Sequence, residues 1–133
     1  MARVSYLLDT DVLIDRLEGQ PWTKPLVWDS NLRLYCSSVS RKELLAKRGL
    51  SDSERRKILR LLQVVRVVTV DSNIAAAASE LLHKYQRHPL RVDDALVAAT
   101  AWAKHLPLLT RNRKHYDFIS EIEMVDPRVE RFV

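Results

Sequence analysis

Asp9, Glu43 and Asp94 lie far apart in the chain, with Asp9 at a strand end and Asp94 at a helix start. Asp9 directly follows the apolar run Tyr6-Leu7-Leu8, so its side chain should emerge at the carboxyl end of a strand. Asp11 and Asp15 come just after it. Acids at i and i+4 on a helix repel each other, so this array is costly unless a cation balances it. Locally, Asp9 or Asp11 is equally well explained as a helix cap. Glu43 closes Ser40-Arg41-Lys42-Glu43, which has the Ser-x-x-Glu form of a capping box, so a structural role is adequate for it alone. In the company of Asp9, a ligand role becomes the better reading. Asp93-Asp94 opens an alanine-rich helix whose positive dipole end tolerates acids, and an exposed acidic pair is the plain alternative. Positions 94, 98 and 101 share a face, and two of them are alanine. Such a face lets the helix approach the sheet closely and brings Asp94 toward Asp9. Thr110 and Asn112 follow Leu108-Leu109 at another strand end and offer a hydroxyl and a carbonyl.

Carboxylate, hydroxyl and carbonyl oxygens together suit a hard divalent cation, and Mg²⁺ in particular keeps several waters beside a few carboxylates. Mn²⁺ is a possible substitute. Zinc is disfavoured, because His83, His88, His105 and His115 form no i, i+4 pair and the single cysteine, Cys36, has no partner. Cys36 lies in an apolar strand and reads as core. Trp22, Trp28 and Trp102 are expected to bury against helix faces.

The elements that must position these groups alternate. Strands are predicted at Tyr6–Leu8, Leu32–Ser37, Val64–Val70, Pro107–Thr110 and Glu123–Val125. Helices are predicted at Val12–Leu17, Val39–Arg48 (stopped by Gly49), from the Ser51/Glu54 capping box to Gln63, from an Asp71 or Ser72 cap to Gln86, and at Val92–His105. Pro21–Ser30 is helical or irregular, and Asn112–Phe118 a short helix or turn. Strand alternating with helix predicts a parallel sheet covered by helices on both faces, with function at the carboxyl ends of the strands. The 133 residues fit one domain, 1–133. With only Gly19 and Gly49 there is no phosphate-cradling glycine loop.

Lysine and arginine number 22 against 17 aspartate and glutamate, a formal charge of +5. Basic residues cluster at Arg41-Lys42, Arg55-Arg56-Lys57 and Arg111-Asn112-Arg113-Lys114. Acids gathered inside a basic molecule point to a cation facing an anionic substrate. Thr110, Arg111, Arg113 and Lys114 are the candidate substrate contacts. A solvated basic loop is the alternative. The first apolar run is too short for a signal or membrane segment, and the lone cysteine suits a reducing compartment, so a cytoplasmic protein without a membrane partner is expected.

Taken in order, several segments resemble those of PIN-domain ribonucleases, specifically VapC-type toxins of prokaryotic toxin–antitoxin pairs. They are Leu7-Leu8-Asp9-Thr10-Asp11-Val12-Leu13-Ile14, Ser37-Ser38-Val39-Ser40 with Glu43-Leu44, Asp94-Ala95-Leu96-Val97-Ala98-Ala99-Thr100-Ala101, and Leu106 to Asn112 followed by Tyr116. The resemblance covers nearly the whole chain. It implies a three-layer α/β/α sandwich with a central, mainly parallel sheet, and metal-dependent hydrolysis of RNA. Asp9, Glu43 and Asp94 are then the metal-binding and catalytic acids. Asp94 rather than Asp93 takes this place because it directly precedes the Ala-Leu-Val-Ala-Ala run. The resemblance also implies a homodimer and an antitoxin whose tail covers the acids, often with a basic side chain. Asp11 stands where the family often has Asn. Asn112 stands at the family's fourth acidic position, which puts a second metal in doubt. Two alternatives stay open. Asp9-Thr10-Asp11 after an apolar strand also resembles the first motif of haloacid-dehalogenase-type phosphatases, and the fold could serve as a catalytically silent RNA- or protein-binding module.

Overall fold

Leu7 and Leu8 are adjacent apolar residues on one strand, and successive side chains of a strand face opposite ways. Both are buried. The strand that carries them, β1 (Val4–Leu8), must therefore be covered on both faces. The computed structural model, which describes residues 4–127, meets this requirement with three layers. The ends of the expected domain, 1–3 and 128–133, lie outside the described residues.

The sheet contains β2 (Leu32–Ser37), β3 (Arg66–Val68), β4 (Leu108–Leu109) and β5 (Met124–Val125) as well as β1, in the order β3-β2-β1-β4-β5 with every pairing parallel. Leu8 is in register with Cys36 on one side and Leu109 on the other. On one face, Leu7 and Leu108 pack with Ile74 and Leu81 of α5 (Ser72–Lys84), Ala98 of α6 (Val92–Lys104) and Tyr116 of α7 (Arg113–Tyr116). On the other, Leu8 and Leu109 pack with Val12 and Leu13 of α1 (Thr10–Leu17), Leu26 of α2 (Lys24–Trp28), Leu44 of α3 (Ser38–Leu45) and Ile58 and Leu61 of α4 (Asp52–Val64). The chain fills the sheet on one side of β1 and then crosses to the other, so the order reverses between β1 and β4. A crevice opens at such a reversal, outside the carboxyl ends of the strands.

Several local expectations change. Ser40 and Glu43 do not form a capping box. Ser37, at the end of β2, is already the cap of α3 and accepts a hydrogen bond from the Val39 N–H at 3.1 Å. Ser40 is then a buried residue within the helix, and Glu43 lies a turn beyond the cap. Helix α3 ends at Leu45, short of Gly49, where its apolar pattern ends. The box at Ser51 and Glu54 does form, with the Glu54 N–H 3.1 Å from Ser51 Oγ, and Asp71 caps α5 through the Ile74 N–H at 2.9 Å. Val64 completes α4, so β3 is shorter than its β-branched run suggested. Residues 21–28 form a 3-10 turn (Pro21–Thr23) and then α2. Trp28 is 74 % exposed, contrary to the expected burial, because the five-residue α2 buries only Leu26. No helix among the described residues is long and apolar enough to cross a membrane.

Candidate functional site

Asp9 occupies the step from β1 into α1. Its backbone N–H bonds to the Leu109 carbonyl, so the sheet itself fixes its position beside β4. As the cap of α1, its Oδ1 accepts the Thr10 N–H at 2.9 Å. Its Oδ2 accepts the hydroxyl of buried Thr110 at 2.9 Å, from just beyond β4. The cap reading of Asp9 therefore holds, and the same side chain also bonds across to the end of β4. Asp9 is only 6 % exposed. Burial first, and then the neighbouring charge of Asp11, push its carboxyl up from 3.8 to about 6, with Asp94 adding to the rise.

Asp94 stands in the first turn of α6, as the alanine-rich face predicted. Ala95, Ala98 and Ala99 are all fully buried, so the helix lies close against its neighbours. The hydroxyl of Tyr116, a fully buried residue, lies 3.3 Å from Asp94 Oδ1 and 3.3 Å from Asp9 Oδ1. One phenol thus joins the two acids on which the sequence reading rests. Asp94 Oδ2 faces His115 Nδ1 at 3.3 Å.

A cleft of about 220 Å³ gathers Asp9, Asp11, Glu43, Asp93, Asp94 and Asn112, with Arg91 and His115 also in its wall. Glu43 reaches it from α3 and is exposed. Its carboxyl is raised, chiefly by desolvation and then by the charges of Asp93, Asp9 and Asp94. Asp11 accepts the Arg111 N–H on Oδ2 at 2.9 Å, while its buried Oδ1 has no hydrogen-bond partner. A buried, unpartnered carboxylate oxygen costs stability unless a cation or an ordered water meets it. The donor set is therefore right in kind for a hard cation. Among the described residues, however, no group of three His, Cys, Asp or Glu side chains could hold a metal ion as it stands.

The remaining candidates divide. Asn112 lines the cleft and donates its N–H to Thr110 Oγ1 at 3.0 Å. Arg111 turns away from the cleft: its Nη2 lies 2.9 Å from Asp15 Oδ1, and its Nε bonds to the other oxygen of the same carboxylate. Trp22 Nε1 donates to Asp15 as well, at 3.2 Å. Arg113 and Lys114 are exposed and do not line the cleft. Arg91 and His115 do line it, and neither was singled out from sequence. Arg91 is the extended cap residue of α6, and its place at the helix start, just before the acidic pair, is the signal the sequence offers. The sequence marks Tyr116 only as part of a motif. Burial raises the Cys36 thiol to about 12, in keeping with its reading as core.

Comparison with known proteins gives consistent results. The PIN domain pattern matches residues 6–119. Ribonuclease VapC10 of Mycobacterium tuberculosis is 34 % identical over 123 residues, covering 88 % of this chain and 90 % of the relative. Ribonuclease VapC19 of the same organism is 29 % identical, covering 88 % and 96 %. Among solved structures, VapBC2 of Rickettsia felis bound to promoter DNA superposes with a TM-score of 0.81 at 18 % identity, covering 92 % of this chain and 98 % of that one, a likeness of fold. A toxin–antitoxin complex of Klebsiella pneumoniae gives a TM-score of 0.74 at 27 % identity, covering 92 % and 97 %.

Proposed function

The chain belongs to the PIN-domain family, and on that premise we propose that it is a VapC-like ribonuclease that hydrolyses RNA phosphodiester bonds with the help of Mg²⁺ or Mn²⁺. The observation that carries this reading is the meeting of Asp9 and Asp94 on one buried hydroxyl, in a cleft whose other acids come from α1 and α3. Asp9 and Asp94 are the principal cation ligands, and exposed Glu43 is the arm that completes the set. Asn112 is the weak fourth ligand. When bound, a divalent cation supplies Lewis-acid polarisation of the phosphoryl group and acidifies a water.

The chain's own groups do the rest. Thr110, Thr10 and Tyr116 occupy three acceptor positions of Asp9, out of the roughly four that a carboxylate offers. Asp9 thus has about one lone pair left and a fixed direction in which to use it. Arg91 is exposed in the wall of the cleft and has no ion pair among the described residues, which makes it the nearest cation available to an RNA phosphate. Arg113 and Lys114, exposed on α7 next to His115 of the cleft wall, are further candidates for phosphate contacts. Such contacts add salt-sensitive affinity without reading sequence. Arg111, committed to Asp15, holds the loop in place.

The proposed partners are an RNA substrate, an antitoxin and a second copy of the chain. The antitoxin is supported by the complex from Klebsiella pneumoniae and by an apolar groove of about 400 Å³ that includes Ile14, Leu17, Leu44 and Ile58. Thr10 and Glu43 line both the groove and the acid cleft, so a segment lying in the groove can bring a basic side chain to the acids. The phosphatase alternative is set aside by the family match. Asp93-Asp94 also opens a helix and does not end a strand.

The test is Asp94→Asn. It should abolish RNA cleavage while the fold survives, since Asn keeps the shape and an acceptor for Tyr116. Cleavage at the wild-type rate would remove the assignment.

A further inference from the structure

Among the described residues, Tyr116 is the group hydrogen-bonded to both principal acids. Its ring is fully buried in the cluster that holds Leu7, Ala98 and Leu108. Phenylalanine would fill that space as well, so packing does not account for the hydroxyl. A phenol carries one proton to donate. Here that proton is shared, with Oδ1 of Asp9 and Oδ1 of Asp94 both at 3.3 Å. The second oxygen of each acid is engaged elsewhere, by Thr110 for Asp9 and by His115 for Asp94. The two acids arrive on different elements, one at the end of β1 and one on α6, and their like charges favour separation. Tyr116 is itself anchored: α7, which carries it, follows the Asn112 N–H bond to Thr110 Oγ1.

We propose that Tyr116 is a positioning residue whose hydroxyl clamps Asp9 and Asp94 at a fixed separation, so that they meet a divalent cation as a prepared pair. The clamp rests on the cation-dependent reading above. Hydrogen-bonding groups behind metal ligands fix ligand orientation, and their loss typically costs about 10- to 100-fold in metal affinity or activity.

The experiment compares Mn²⁺ binding by titration calorimetry in wild type, Tyr116→Phe and Tyr85→Phe, without RNA. Tyr116→Phe removes one oxygen and keeps the ring. Tyr85→Phe removes another largely buried hydroxyl, one bonded to Ser120 and Glu121 on the same side of the sheet, and serves as the control for a purely structural loss. Mn²⁺ affinity should fall about tenfold in Tyr116→Phe and stay at the wild-type value in Tyr85→Phe. With RNA added, kcat should fall in Tyr116→Phe while KM stays close to wild type. An unchanged Mn²⁺ affinity in Tyr116→Phe, or an equal loss in both variants, overturns the clamp. The two readings separate cleanly. A wild type that binds Mn²⁺ but cleaves no RNA overturns the ribonuclease and leaves the clamp to the affinity data. A cleaving wild type whose Mn²⁺ affinity survives Tyr116→Phe overturns the clamp alone.

Discussion

At the scale of single residues, the cleft stores unfavourable charge that only protons or cations relieve. Asp9 illustrates this through its pH dependence. Its carboxyl titrates near 6 in the folded chain against 3.8 ordinarily, so between those values the folded state holds a proton that the unfolded state has lost. The stability that neutral Asp9 contributes is complete below about pH 4 and is lost as pH rises through about 6. A shift of this size corresponds to about 3 kcal/mol. In EDTA, wild type should therefore lose stability relative to Asp9→Asn between about pH 4 and about pH 7, and Mg²⁺ should reduce the loss. Denaturant melts across that range check it, and parallel profiles would contradict it. Arg111 and Arg91 make a second contrast. Asp15, nearly buried beneath Arg111, loses its ion-pair partner if Arg111 goes, so Arg111→Ala should cost about 2–3 kcal/mol, allowing for the partly exposed arginine. Arg91→Ala should leave stability within about 0.5 kcal/mol and lower the salt slope of RNA binding by about one. The reverse pattern would return the phosphate contact to Arg111.

At the scale of elements, the sequence carried the architecture further than it carried the boundaries. Leu7-Leu8 and Leu108-Leu109 announced strands buried on both faces, and they proved to be neighbours in the sheet. The small face of α6 was also readable, and it brings Asp94 to its place. Ala98→Leu should therefore destabilise the protein by about 1–3 kcal/mol through overpacking, and should impair cleavage by pushing α6 off the sheet. A thermal melt with an activity assay on the same sample checks both, and a stable, fully active variant would show that the close approach is not needed. What the sequence hid was tertiary. Ser40-x-x-Glu43 had the spacing of a cap, but β2 ends one residue before α3 begins and Ser37 takes the cap first. The apparent strand from Val64 lost its first residue to α4 because β-branched composition does not decide between a helix end and a strand start. Arg111 looked like a free cation because its partner, Asp15, lies on α1 at the far end of the chain.

At the scale of the whole molecule, a basic chain encloses an acidic cleft where the strand order reverses. The positions of Asp9 and Asp94 were legible because a strand end for one, a small-faced helix start for the other, and the motif agreed. Their coupling through Tyr116 was not, since nothing in one dimension says that α7 folds back to meet both acids. The same cleft adjoins an apolar groove, so catalysis and its inhibition by a partner would share Thr10 and Glu43. The most direct measurement incubates purified wild type and Asp94→Asn with total RNA in Mg²⁺, Mn²⁺ or EDTA, and maps the product ends. The expected result is discrete cleavage by wild type with either cation, abolished both by EDTA and by Asp94→Asn. RNA that is bound but left intact under every condition, or cleavage that persists in Asp94→Asn, would contradict a ribonuclease built on Asp9 and Asp94.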